Sequence, residues 1–260
     1  MFSFIALNTL PAFLLIFVRV TAFFVTLPIF SYRNVPTPHK IGLSFFLAWI
    51  MFYTIDLPPI QLNGTFYMLV IKEALVGLCV GFIAYLVLAA IQVAGGFIDF
   101  QMGFAVANVI DPRTGAQSPL IGQYLNTITL LFLLVVDAHH LFIQGMFFSY
   151  EAIPLDQVVL PFSNESFAEM IMRTFTTMFA IAFQMAIPIV GCLFLVDVAL
   201  GIIARTVPQL NVFVVGLPLK IFVSFVVLIV SFTFYTILAK KLFETMLEAM
   251  WTLMRLMGGA

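Results

Sequence analysis

The sequence predicts an all-α membrane protein, and three observations support that fold class. Of 260 residues, 63% are hydrophobic and 9% charged, with a mean hydropathy of +1.16. Soluble domains carry about 25% charged residues, so this chain is built for another solvent. Charge-free runs recur at 1–18, 41–55, 74–98, 114–136, 174–196 and 221–239. A helix needs about 20 apolar residues to cross about 30 Å of hydrocarbon. The runs are unbroken, whereas membrane β-strands read as alternating segments of about ten residues. About six hydrophobic helical segments result, several of them broken into hairpins.

The first two runs are shorter than a full span; the first extends through Arg19 to Phe30, and the second follows the polar stretch SYRNVPTPHK. The opening MFSFIALN lacks the positive flank of a signal peptide and reads as a retained anchor. After the third run, Ala94-Gly95-Gly96 is expected to bend or end a helix. Asp111-Pro112-Arg113-Thr114-Gly115 is a turn signal, which puts a loop or re-entrant element at about 104–119. A further break is expected at Arg205-Thr206-Val207-Pro208-Gln209, where Pro208 removes a backbone donor. Non-helical backbone at membrane depth survives only against protein or a water-filled cavity, so both breaks are candidate cavity-lining elements.

The tail is amphipathic over 240–257. Phe243, Met246, Leu247, Met250, Met254 and Met257 recur at three- and four-residue spacings, opposite Lys241, Glu244, Glu248, Thr252 and Arg255. Such a helix is expected at the surface, on lipid headgroups or on a partner. The whole chain reads as one integral membrane domain.

Charge places limits on function. A net charge of −1 excludes a phosphate-neutralising surface, and with it nucleic acid as a partner. Under a six-span arrangement, Lys72, Arg173, Lys240, Lys241 and Arg255 fall on one side and Arg33, Lys40, Arg113, Arg205 and Lys220 on the other. The tie gives no orientation and suggests segments packed on protein partners. Arg19, Glu73, Asp99, Asp137 and Asp197 interrupt hydrophobic stretches. Each costs about 2.5–3.5 kcal/mol on insertion scales, so each is expected to be paired or to cap a helix.

Catalytic readings fail on missing parts. There is no H-E-x-x-H, no G-x-S-x-G, no Walker lysine loop and no G-x-G-x-x-G, so no catalytic residue and no cofactor is expected. Cys79 and Cys192 sit alone in apolar runs as small hydrophobes. Asp137 and His140 stand at i, i+3, while His139 is expected to point about 100° away, which leaves two metal ligands at most. No metal site is expected.

Four stretches take the reading further. Asp197–Ile221 (DVALGIIARTVPQLNVFVVGLPLKI) closely resembles the signature block of the FliR family, export-gate proteins of flagellar type III secretion with SctT-type homologues in injectisomes. Val18–Ser44, Gly96–Pro119 and His139–Leu155 agree with the family in order, and the four cover about a third of the chain. Pro208, Gln209, Leu210, Asn211, Phe213, Gly216, Pro218 and Lys220 carry the match, because apolar helices alike by chance share Leu, Val and Phe rather than these positions.

The resemblance implies a multi-pass subunit of the bacterial inner membrane and flagellar basal body. There it would join FliP-like and FliQ-like subunits, with FlhB- and FlhA-like export components nearby, in a helical assembly that passes unfolded protein substrates. It implies a plug loop over Phe104, Ala107, Asn108, Val109, Ile110, Asp111, Pro112, Arg113, Thr114 and Gly115, whose apolar residues would close the pore by dewetting. It also implies subunit packing by Asp197, Arg205, Pro208, Gln209, Asn211, Phe213, Gly216, Pro218 and Lys220. The competing reading is a secondary transporter with broken helices, using Asp197 with Arg205 or Asp137 with His140 for coupling. No inverted repeat or dense polar cluster supports it.

Overall fold

The computed structural model describes residues 10–31, 35–55, 60, 62–104, 119–161, 165–209 and 211–259. Among them are nine helices and no strand: α1 (Leu10–Thr26), α2 (Pro28–Ser31), α3 (Thr37–Thr54), α4 (Gly64–Met102), α5 (Leu120–Val135), α6 (Ala138–Ala152), α7 (Glu165–Thr206), α8 (Val212–Val230) and α9 (Phe232–Gly258). The protein is all-α. Within the described residues α4, α7 and α8 are long and apolar enough to cross a membrane, and α5 with α6, bent at a short break, makes a fourth candidate.

Local chemistry sets the ends. Pro28 has no N–H to continue the α1 ladder, so the chain restarts as the short α2. Gly103, at φ +91°, ends α4 in the left-handed region that a side chain would resist, and Phe104 N–H donates to the Asp99 carbonyl at 3.0 Å. Ile153 is extended after α6 because Pro154 follows it. The α7–α8 break falls where the sequence places it: α7 stops at Thr206, and Asn211 caps α8 by accepting from Phe213 N–H (3.2 Å) and Val214 N–H (3.4 Å).

Contacts divide the chain into two compact units. One comprises Met1–Val87, Val136–Phe175 and Thr245–Ala260, the other Leu88–Val135 and Thr176–Glu244. In the first unit Phe13 of α1 meets Phe45, Trp49 and Phe52 of α3 edge-on, with centroids 5.5 to 5.9 Å apart. Gly77 and Gly81 let α4 lie directly on α1, since a Cβ there would collide with the Arg19 carbonyl or with Thr26.

In the second unit both Asp99 carboxylate oxygens accept from Ile121 N–H at 3.2 Å, satisfying a donor at the start of α5 from a side chain of α4. The Thr129 hydroxyl of α5 lies 2.7 Å from that of Tyr235, which donates to the Leu125 carbonyl.

Two expectations need correction. Gly95-Gly96 neither bends nor ends α4, which continues to Met102. Gly95 instead faces the Gly122 backbone with no room for a Cβ, so the small residue marks a close approach of α4 and α5. The apolar face of the tail is covered by the chain itself rather than by lipid or a partner. Met246, Met250, Met254 and Met257 are buried, Trp251 stacks on Phe148 at 4.2 Å, and Gln157 donates to the Met257 carbonyl. The helix also begins at Phe232, ahead of the Lys240-Lys241 pair.

The close approach has a measurable consequence. Gly95→Ala should lower thermal stability in detergent by about 1–3 kcal/mol, because two backbones must separate. Gly191→Ala on α7, where an added Cβ meets nothing within 4 Å, should be neutral or stabilise by up to about 1 kcal/mol through helix propensity. Equal effects would mean that the α4–α5 approach is not tight.

Candidate functional site

The signature block occupies the end of α7 and the first half of α8. Asp197 accepts from the Gln101 side-chain amide at 2.8 Å and pairs with Lys220 Nζ at 2.8 Å, joining α4, α7 and α8 within the second unit. The ion pair borders an apolar cavity of about 830 Å³ lined by Met102, Gly103, Phe104, Leu200, Gly216 and Leu217. Gly216 is buried against the Leu200 side chain, where a Cβ would press on it.

Other members of the block turn outward. Arg205, Pro208, Gln209, Asn211, Phe213 and Pro218 are exposed, Phe213 at 77%. Arg205 stands in the last turn of α7, where a cation suits the helix dipole. The Asp197–Arg205 pair, one of the two coupling pairs of the transporter reading, is therefore not formed, since Asp197 is engaged by Gln101 and Lys220 instead. Of the expected plug loop only Phe104 is described; Ala107, Asn108, Val109, Ile110, Asp111, Pro112, Arg113, Thr114 and Gly115 lie outside the described residues.

A second polar centre lies in the first unit, and the sequence reading found only part of it. Arg19 and Glu73 are fully buried and paired, and Lys72, which the charge tally treats as a loop residue, is buried inside α4 and pairs with Glu73 as well. Every Arg19 N–H has an acceptor. Nε donates to Glu73; Nη1 donates to the Ser149 carbonyl (2.8 Å) and hydroxyl (3.2 Å); Nη2 donates to Glu73 Oε1 (2.9 Å) and the Ile153 carbonyl (2.9 Å). Lys72 Nζ donates to the carbonyls of Pro154 (2.9 Å) and Leu155 (3.4 Å).

Two cations thus face one carboxylate, and the surplus is met by carbonyls at the end of α6, the negative pole of that helix. The Tyr150 ring lies 4.0 Å from the Arg19 guanidinium carbon and adds a cation–π contact. Lys72 is therefore an interior cation and not a loop charge. The signal available in the sequence was the adjacency of Lys72 and Glu73 inside a hydrophobic stretch.

The Asp137–His140 pair forms, with Oδ1 and Nδ1 3.7 Å apart and both side chains exposed. His139 does not point away as expected: its ring centroid lies 4.2 Å from that of His140.

Long apolar helices with their buried charges paired inside the chain define an integral membrane protein, and the broken α7–α8 block is its distinguishing feature. The family model described as bacterial export proteins, family 1, matches residues 10–246, and the chain belongs to that family. It is 56% identical over 97% of its length to the flagellar biosynthetic protein FliR of Bacillus subtilis (strain 168), covering 98% of that protein. To the protein of the same name from Escherichia coli (strain K12) it is 27% identical, over 79% of this chain and 78% of that one. The Yop proteins translocation protein T of Yersinia pestis is 28% identical over 85% of each chain. The family is a structural export component, not an enzyme.

The charge arithmetic of the buried centre predicts an order of effects. Glu73→Gln leaves two buried cations without a counter-charge and should cost about 3–5 kcal/mol. Lys72→Met leaves a balanced Arg19–Glu73 pair and should cost less, about 1–3 kcal/mol for the carbonyls it strands. Thermal unfolding in detergent with membrane accumulation level reads the difference; the reverse order would contradict the assignment of Glu73 as the shared counter-ion.

Proposed function

We propose that the chain is an export-gate subunit of the flagellar type III secretion apparatus in the bacterial inner membrane. It assembles with FliP-like and FliQ-like subunits around a channel for unfolded substrate proteins, near FlhB-like and FlhA-like components. The observation that supports assembly best is how little of α8 the chain covers. Only 11% of its most apolar window is buried, and 22% for α7, yet the break between them exposes Arg205, Gln209 and Asn211. Lipid suits the apolar residues but leaves polar groups and broken backbone unsatisfied, so neighbouring protein is the better cover.

In this reading the exposed residues of the block, Arg205, Pro208, Gln209, Asn211, Phe213 and Pro218, pack on neighbours, while Asp197, Gly216 and Lys220 hold α8 against α7 and α4. The segment from Phe104 to Gly115 serves as the plug: Gly103 and Gly115 are its hinges, and Ala107, Val109 and Ile110 fill the closed pore. A dry apolar constriction holds back ions and still yields to a passing chain.

Both roles are testable in the co-expressed complex. Arg205→Ala and Phe213→Glu should each lower co-purification of FliP-like and FliQ-like subunits while the chain itself accumulates normally; unchanged co-purification would remove this face from the interface. Deleting Ala107–Gly115 should leave assembly intact and raise ion conductance in whole cells. A deletion complex that assembles and keeps the membrane as tight as the intact one would reduce the segment to a connector.

A further inference from the structure

The start of α6 holds three metal-ligating side chains on four consecutive residues. Asp137, His139 and His140 each offer a ligand atom, and the three atoms lie within 4.8 Å of one another. We propose that Asp137, His139 and His140 form a binding site for a divalent transition-metal ion of the zinc type, with water completing its coordination.

Three observations beyond the clustering point to a ligand. First, Asp137 has φ +55°, and among the described residues it is the one non-glycine with a positive φ. Such strain persists only where the surroundings enforce it, and it accumulates at functional positions. Second, Asp137 is the N-cap of α6, yet its side chain makes no capping hydrogen bond. An N-cap aspartate ordinarily accepts from the second or third N–H of its helix. Here the carboxylate is turned to the imidazoles, 3.7 Å from His140 Nδ1. Third, His139 Nδ1 is buried and has no hydrogen-bond partner. A buried nitrogen left so costs free energy, which a cation coordinated through that nitrogen would recover.

The donor set suits this ion class. Two imidazole nitrogens favour zinc and its neighbours over calcium or magnesium, and a carboxylate is a common third ligand of zinc. Bond lengths near 2.0–2.1 Å in a tetrahedron put donors about 3.3 Å apart, so atoms within 4.8 Å of one another need to close by up to about 1.5 Å. Asp137 and His140 are exposed and can move that far. The positive pole of the α6 dipole opposes a cation at this end, and the Asp137 carboxylate offsets it. Bound there, the ion fixes the N-terminal end of the helix whose other end rests on Arg19 and Lys72.

The test uses the full-length chain in detergent, carrying a purification tag without histidine, titrated with Co²⁺ and read by visible absorption. A saturable d–d band that Zn²⁺ abolishes is expected. Asp137→Asn, which keeps a residue tolerant of the left-handed region, and His140→Ala should each weaken binding by roughly tenfold or more. His139→Ala should do the same, and His39→Ala, an exposed histidine elsewhere, should leave binding unchanged. Helical circular dichroism and elution volume verify that the variants remain folded. No Co²⁺ band, or a band that survives the Asp137, His139 and His140 substitutions, overturns the proposal.

Discussion

One buried charge cluster sets the constraint around which the first unit is built. Arg19 from α1, Lys72 and Glu73 from α4, and the carbonyls that follow α6 meet with every guanidinium N–H accepted. Burying two cations beside one carboxylate is tolerable only because Ser149, Ile153, Pro154 and Leu155 present oxygens at the negative pole of a helix. None of these groups can shift without stranding another. That fixes which face of α4 meets α1, and Gly77 and Gly81 are the small residues that make so close a contact possible.

The second unit is held by polar contacts spread over several places rather than gathered in one centre. Asp99 satisfies the start of α5, Thr129 and Tyr235 share a hydroxyl contact, and Gln101 with Lys220 neutralises Asp197. These polar groups align the unit's own helices, and the outer surfaces of α7 and α8 are largely apolar, with Arg205, Gln209 and Asn211 exposed at the break between them. An export-family protein that pairs its buried charges internally and leaves its long helices bare is suited to a multi-chain membrane assembly. A solute carrier of the kind considered above would couple Asp197 to Arg205, whereas Asp197 is held by Gln101 and Lys220.

How much was legible in advance varies with the residue. The all-α membrane class, the break at Pro208 and the amphipathic partition of the tail follow from composition, proline chemistry and helical periodicity, all of them local. The signature residues from Pro208 to Lys220 were legible as a family block, but not the division of labour among them, with Gly216 buried and Phe213 bare. Gly95 was misread as a break because helix propensity is local, whereas its actual use, contact with Gly122, is not. The methionine face of α9 was legible as a face, but nothing in periodicity says what covers it.

The sequence by itself therefore determined the solvent, the helical class, the family and the places where backbone must break, because each depends on residues within a few positions of one another. Tertiary structure alone decided the partners: that Lys72 is an interior cation and not a loop charge, that Arg19 reaches residues 130 and 134 positions away, and that Asp197 chooses Lys220 over Arg205. A charge in a hydrophobic run must find a counter-charge or an acceptor, but which one it finds depends on the packing of helices far apart in the chain.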